Sequence, residues 1–181
     1  MSNRREETVK QYYKEEYHAQ YNLSKANIKL YNEIIGLLGV DTIFEFGCNV
    51  GRHLNRLNNF GYTTSGIDIN SEFIEEAISN GLSVKTGDES FLVNHISDDE
   101  YDLSFTNSVI CHMPPETADI AITELKRISK KYVIMCECIT KDHKFWWVHD
   151  YKKYGFTELL TVESHLYNKN DAIYKIFIYK K

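Results

Sequence analysis

The stretch from Ile43 to Leu57, IFEFGCNVGRHLNRL, constrains this chain more than any other. Ile43, Phe44 and Phe46 suit a strand buried on both faces, and Gly47 and Gly51 bracket a turn where a ligand can approach the backbone closely. Val50, Leu54 and Leu57 recur at helical spacing, so a helix should begin at that turn and aim its first amides and positive dipole end over it. Glu45 lies just ahead, where a phosphate-binding loop would not want a carboxylate. The pattern points to a ligand with positive character.

The rest of the chain alternates in the same way. Before the turn, Tyr13, Tyr17 and Tyr21 share one helical face, either packed on the domain or forming a flap over a pocket, and Ser24 caps a helix with Ile28, Tyr31, Ile35 and Leu38 inward and Gly39 at its end. After it, Thr63 to Ile69 reads as a strand. A helix follows, capped by Ser71, with Phe73, Ala77 and Ile78 inward and Gly81 as its stop. Leu82 to Thr86 is the third strand, leading through Gly87 and Asp88 into an acidic loop, and Tyr101 to Phe105 is the fourth.

Pro114 and Pro115 open a helix with Ala118, Ala121, Leu125 and Ile128 inward, its acidic start and basic end matching the dipole. Tyr132 to Ile139 is the fifth strand, and His143 to Tyr154 reads as a last helix ended by Gly155. Phe156 to Val162 and Ile173 to Tyr179 then make an antiparallel pair joined by a polar turn at Asn168 to Asp171. Strands alternating with helices imply a parallel sheet whose ligands bind beyond the carboxyl ends of the strands. Glu45, Asp68, Asp88 and Asn107 fall on that rim.

With 181 residues the chain fits one domain, read as residues 1–40 forming a helical cap or lid and residues 41–181 a ligand-binding core. Its 26 Asp and Glu against 21 Lys and Arg argue against a broad nucleic-acid footprint. No apolar run reaches membrane-spanning length, and MSNRREETVK lacks a signal-peptide core. Cys48, Cys111, Cys136 and Cys138 show neither a disulfide framework nor a zinc spacing and read as small buried side chains, so no metal and a reducing cytoplasmic setting are expected.

A dinucleotide GxGxxG would put glycines at positions 49 and 52, where Asn49 and Arg52 stand, and a Walker lysine is absent. EFGCNVG instead resembles the S-adenosylmethionine-binding pattern of class I methyltransferases, an acid followed by GxGxG, with Asn49 at the middle glycine. Asparagine tolerates the left-handed backbone that glycine supplies there. The resemblance runs from about Thr42 to the C-terminus and includes YDLSFTNSVICHMPPE as the fourth strand and its loop.

That resemblance implies an α/β, Rossmann-like three-layer sandwich with a seven-stranded, mostly parallel sheet ordered 3-2-1-4-5-7-6, the last strand antiparallel. It implies S-adenosylmethionine as donor and S-adenosylhomocysteine as product, held by Glu45, Gly47, Cys48, Asn49, Gly51, Asp68, Ile69, Asp88, Glu89 and Asn107. Within it, Asp68 meets the ribose hydroxyls and Asp88 the adenine amino group.

His112, on the loop after the fourth strand, is the candidate general base, or else it orders that loop or binds substrate. Tyr13, Tyr17, Tyr21, His53, His112 and Glu137 are the candidate substrate contacts; His53 otherwise lies at the surface, Glu137 is otherwise paired in the core, and His143 and His149 are weaker candidates as bases. NSVI, at Asn107 to Ile110, differs from the NPPY-like sequence of enzymes acting on planar amino groups. EFGCNVG with SVICHMPPE resembles small bacterial methyltransferases of surface-sugar biosynthesis, the pseudaminic acid group among them. The leading expectation is a small-molecule acceptor with a hydroxyl, an amine next; the alternatives are a non-catalytic binding or regulatory partner, and an RNA methyltransferase that borrows a basic surface.

Overall fold

A computed structural model describes residues 24–140, 146–163 and 173–181. The tyrosine face of Tyr13, Tyr17 and Tyr21, His143 and the turn at Asn168 to Asp171 lie outside those residues. The described chain runs α1 (Ser24–Gly36), β1 (Thr42–Phe46), α2 (Arg52–Asn59), β2 (Thr63–Asp68), α3 (Ser71–Ser79), β3 (Val84–Thr86), α4 (Glu89–His95), β4 (Tyr101–Asn107), α5 (Pro115–Ile128), β5 (Ser129–Cys138), β6 (Thr157–Glu163) and β7 (Ile173–Lys180). Single 3-10 turns span Ile110–His112 and Tyr151–Tyr154.

The strands form one sheet ordered β3-β2-β1-β4-β5-β7-β6. The first five pair in parallel, while β7 runs antiparallel to both β5 and β6. This is the seven-stranded order that the resemblance implied.

Two apolar layers cover the sheet, sorted by the two-residue period of the strands. Ile43, Leu103, Phe105, Ile134 and Cys136 point to one side, where Tyr31 and Ile35 of α1, Leu54 and Leu57 of α2 and Ile74 and Ala77 of α3 pack on them. Phe44, Phe46, Val133 and Met135 point to the other, against Leu92 of α4 and Ala118, Ala121, Leu125 and Ile128 of α5. The same alternation sends the polar residues to opposite faces. Glu45 and Asn107 share the α1–α3 side, and Glu137 shares the α4–α5 side.

Local chemistry decides several boundaries differently from the sequence reading. Asn70, whose side chain accepts from the amides of Glu72 and Phe73, caps α3 in place of Ser71. The buried residues of this helix are Ile74 and Ala77, while Ile78 is exposed and Phe73 half-buried. The first helix stops at Gly36, three residues before Gly39. The stretch after Asp88 begins with α4, whose N-cap is the Asp88 side chain accepting from the Ser90 amide and whose C-terminal end is held by Arg127 donating to the Leu92 and Ile96 carbonyls. No α-helix lies over residues 146–154; that stretch is irregular apart from the 3-10 turn, whose stop at Gly155 has φ +86°.

β5 starts at Ser129, directly after α5, so Lys130 and Lys131 belong to the strand and only Lys126 and Arg127 remain as basic residues in the helix's last turn. β4 continues past Phe105 to Asn107, which carries Asn107 out to the rim.

Candidate functional site

The glycine turn between β1 and α2 is held from beneath by β2. The amides of Gly47 and Cys48 both donate to the Ile67 carbonyl, at 2.8 and 2.9 Å. Gly47 and Gly51 have φ of +77° and +76°, and Asn49 has φ 52°, the left-handed conformation the sequence suggested for it. Its side chain closes the turn by accepting from the Val50 amide at 2.7 Å. Both glycines are required sterically as well: a Cβ at Gly47 would lie 2.3 Å from Val109 Cγ2, and one at Gly51 would lie 2.1 Å from Leu82 Cδ1.

Asp68 ends β2 against this turn. Its Oδ2 accepts from the Asn49 amide at 2.8 Å and its Oδ1 from the Asn70 amide at 2.9 Å. One buried carboxylate thereby fixes both the glycine turn and the start of α3. Ile69, beside it, is 42% exposed at the rim, and Glu89 is buried in the first turn of α4. Asp88 Oδ1 is engaged by the amide and hydroxyl of Ser90. Cys48 is buried within the turn, where burial raises its thiol pKa and keeps it protonated.

On the α1–α2 side of the sheet, three buried polar side chains, Glu45, His53 and Asn107, have atoms left over. Asn107 Nδ2 and His53 Nε2 are 3.3 Å apart. Glu45 Oε2, His53 Nδ1 and Asn107 Oδ1 are buried without a hydrogen-bond partner among the described residues. Tyr31 backs this group: its ring lies edge-on to His53 at 5.4 Å, and its hydroxyl donates to the Thr106 carbonyl at 2.9 Å. Burial, and then the nearby Asp68, push the Glu45 carboxyl well above the usual carboxylate range. Burial, and then Arg52, push His53 down to about 4. His53 is therefore a neutral, enclosed side chain, where the sequence allowed a surface position.

The loop after β4 forms the next wall. His112 is half-buried on its 3-10 turn, with its ring 6.2 Å from that of Trp146. Glu137 is fully buried and takes the core-paired of its two readings: Oε2 accepts from the Cys111 amide at 3.0 Å and Oε1 from the Val109 amide at 3.3 Å. Burial still raises this carboxyl to about 7 against those bonds. His149 Nε2 lies 3.1 Å from both the Ile110 and Met113 carbonyls, so its ring proton is shared between two acceptors.

Sequence reasoning placed Glu45, Asp68, Asp88 and Asn107 on one rim; the structure ties Asp68 to the glycine turn, sets Asp88 after β3 as the cap of α4, and carries Asn107 at the end of β4 beside His53. It missed Tyr31, which read only as one member of an apolar stripe, and the engagement of His149. Neither has a local signature, because both depend on carbonyls about 75 and 36–39 residues away in sequence.

The comparisons agree with this geometry. Residues 44–135 match the methyltransferase domain family, and the chain belongs to it. It is an S-adenosylmethionine-dependent methyltransferase of the Rossmann-like class. Among solved structures, a Pyrococcus horikoshii OT3 protein superposes with a TM-score of 0.70 at 16% identity, over 94% of this chain and 99% of that one. A SAM-dependent methyltransferase from Archaeoglobus fulgidus gives 0.69 at 16% identity, over 88% and 94%. Magnesium protoporphyrin IX methyltransferase from Synechocystis PCC 6803, crystallised with bound SAM, gives 0.65 at 19% identity, over 91% and 79%. No curated protein matches the sequence. Among the described residues, no helix is long and apolar enough to cross a membrane.

Proposed function

We propose that this methyltransferase acts on a small molecule and delivers the methyl group to a hydroxyl, with an amine as the second choice of acceptor. The observation that carries the reading is the position of His112. His112 sits half-buried on the loop itself, and an imidazole takes up a proton near neutral pH.

The residues present fit the donor. Glu45 Oε2 and Asn107 Oδ1 are buried acceptors suited to an ammonium group, and a site rich in carboxylates suits a cation. Gly47, Cys48, Asn49 and Gly51 would form the floor, with Asp68 and Ile69 at the ribose and Asp88 and Glu89 toward the adenine. When bound, S-adenosylmethionine supplies a methyl group on a cationic sulfur. His112 would take the proton of the acceptor hydroxyl as the methyl group is transferred. The protein's share is alignment, exclusion of water and this proton transfer.

The acidic balance of the chain, the NSVI loop and the resemblance to surface-sugar enzymes favour a sugar or related cytoplasmic metabolite over nucleic acid. The test is a screen of sugars, amines and RNA for transfer of a labelled methyl group. Transfer to a hydroxylated metabolite supports the reading. Transfer to RNA alone, or binding of S-adenosylhomocysteine with no transfer to any class, replaces it with one of the two alternatives.

A further inference from the structure

The loop from Ser108 to Met113 has its backbone groups taken up from two directions. Beneath it, on the α4–α5 face, Glu137 receives the Val109 amide at 3.3 Å and the Cys111 amide at 3.0 Å, and the Thr106 hydroxyl lies 3.5 Å away. From the other direction the segment after β5 takes the carbonyls: the Trp147 amide donates to the Cys111 carbonyl at 2.7 Å, and His149 serves those of Ile110 and Met113. A single buried side chain that accepts two amides of one loop fixes that loop's shape, because releasing it would leave buried donors unpaired.

One residue of this loop leads to the donor site. Val109 lies so close over Gly47 that its Cγ1 and Cγ2 would be 3.0 and 2.3 Å from a Cβ there. The Val109 amide is held by Glu137 while its side chain rests on the turn.

We propose that Glu137 is a positioning residue for S-adenosylmethionine, acting through Val109, which it holds against Gly47 so that the glycine turn keeps its ligand-binding shape. The inference rests on the reading of the Gly47–Gly51 turn as the donor site. Glu137 itself lies on the opposite face of the sheet from Glu45 and Asn107 and touches no ligand. It acts as a fixed anchor under the loop, with His149 and Trp147 closing the other side.

The test is a mutant cycle read by calorimetric titration with S-adenosylhomocysteine, using the full chain and the variants Glu137→Gln, Val109→Ala and the two combined. Glu137→Gln keeps the shape but puts an NH2 donor where a carboxyl oxygen accepts from a loop amide, so affinity should fall about tenfold. In the Val109→Ala background the same change should cost less than about twofold, because the relay is already cut. A residue that only supports the fold would give equal losses in both backgrounds, and that result overturns the proposal.

The chain's two tryptophans, Trp146 and Trp147, adjoin the loop, so their emission gives a second readout and should shift in Glu137→Gln without ligand. If Glu137→Gln does not fold, Val109→Ala alone decides, and unchanged affinity there sinks the relay. Wild-type protein that gives no heat with S-adenosylhomocysteine rejects the donor-site reading itself. Wild-type binding with unaltered variants rejects only the inference.

Discussion

The Asn49 amide donates to Asp68 Oδ2 at 2.8 Å while Asn49 holds a left-handed backbone with φ 52°. The bond joins the one non-glycine position of the motif to the acid at the end of the second strand. Asn49→Gly should therefore bind S-adenosylhomocysteine within a few-fold of wild type, whereas Asn49→Val places a β-branched side chain in a left-handed well and costs about 1–2 kcal/mol. Thermal melting and calorimetric titration of the two variants check this; a valine variant as stable as the glycine one would remove the conformational argument.

Asp68 has a double task under this reading, since it fixes the turn and faces the ribose. Asp68→Ala should weaken S-adenosylhomocysteine binding by tenfold or more, at about 1.4 kcal/mol per tenfold. Asp68→Asn can keep one backbone bond and should fall between the two. Equal affinity for all three proteins would exclude both tasks.

Much of this was legible in the chain because it is written locally. The acid, the two glycines and Asn49 lie within seven residues, and the alternation of apolar strands and helices implies a parallel sheet, while the strand order was implied only by the resemblance to class I methyltransferases. What escaped was settled by partners distant in sequence or by competition between adjacent caps. Asn70, one residue ahead of Ser71, takes the cap by accepting from two amides of the first turn, and Ser71 becomes the first helical residue. The helix at Glu89–His95 hid behind a polar composition, although Asp88 followed by Glu89 was a usable start signal. The surplus polar atoms at Glu45, His53 and Asn107 become visible only when three elements are brought together.

Glu45 leads to a proton-linkage prediction. Its carboxyl is raised by burial and by Asp68 in the free protein, and a ligand ammonium beside Oε2 would lower it. Binding then releases a proton at pH values below the free-protein pKa, so affinity rises with pH up to that value and levels off above it. Calorimetry in two buffers of different ionisation heat counts the protons released. Glu45→Gln should remove this component, and an unchanged count in that variant would show that Glu45 does not face the cation.

Glu137 gives a stability effect of opposite appearance. Its folded pKa is raised from 4.5 to about 7 by burial, so the folded state binds more protons than the unfolded one between those values. Its contribution to stability is fully present below about pH 4.5, declines as pH rises to 7 and is constant above, a change of about 3 kcal/mol. Cys111, Cys136, Tyr31 and Tyr151 nearby all have raised pKa values and stay neutral through this window. The melting temperature of wild type relative to Glu137→Gln, followed from pH 4.5 to 8, should fall along that curve; a flat difference would mean the loop amides compensate the burial completely.

His112 separates chemistry from binding. It lies on the loop beyond Asn107, and the donor residues named above do not include it, so His112→Ala should leave S-adenosylhomocysteine affinity within about twofold of wild type. With an acceptor found in the labelled-methyl screen, kcat should fall by about a hundredfold or more, the usual scale for loss of a general base. A variant that keeps the rate would assign His112 to holding the loop beside Trp146.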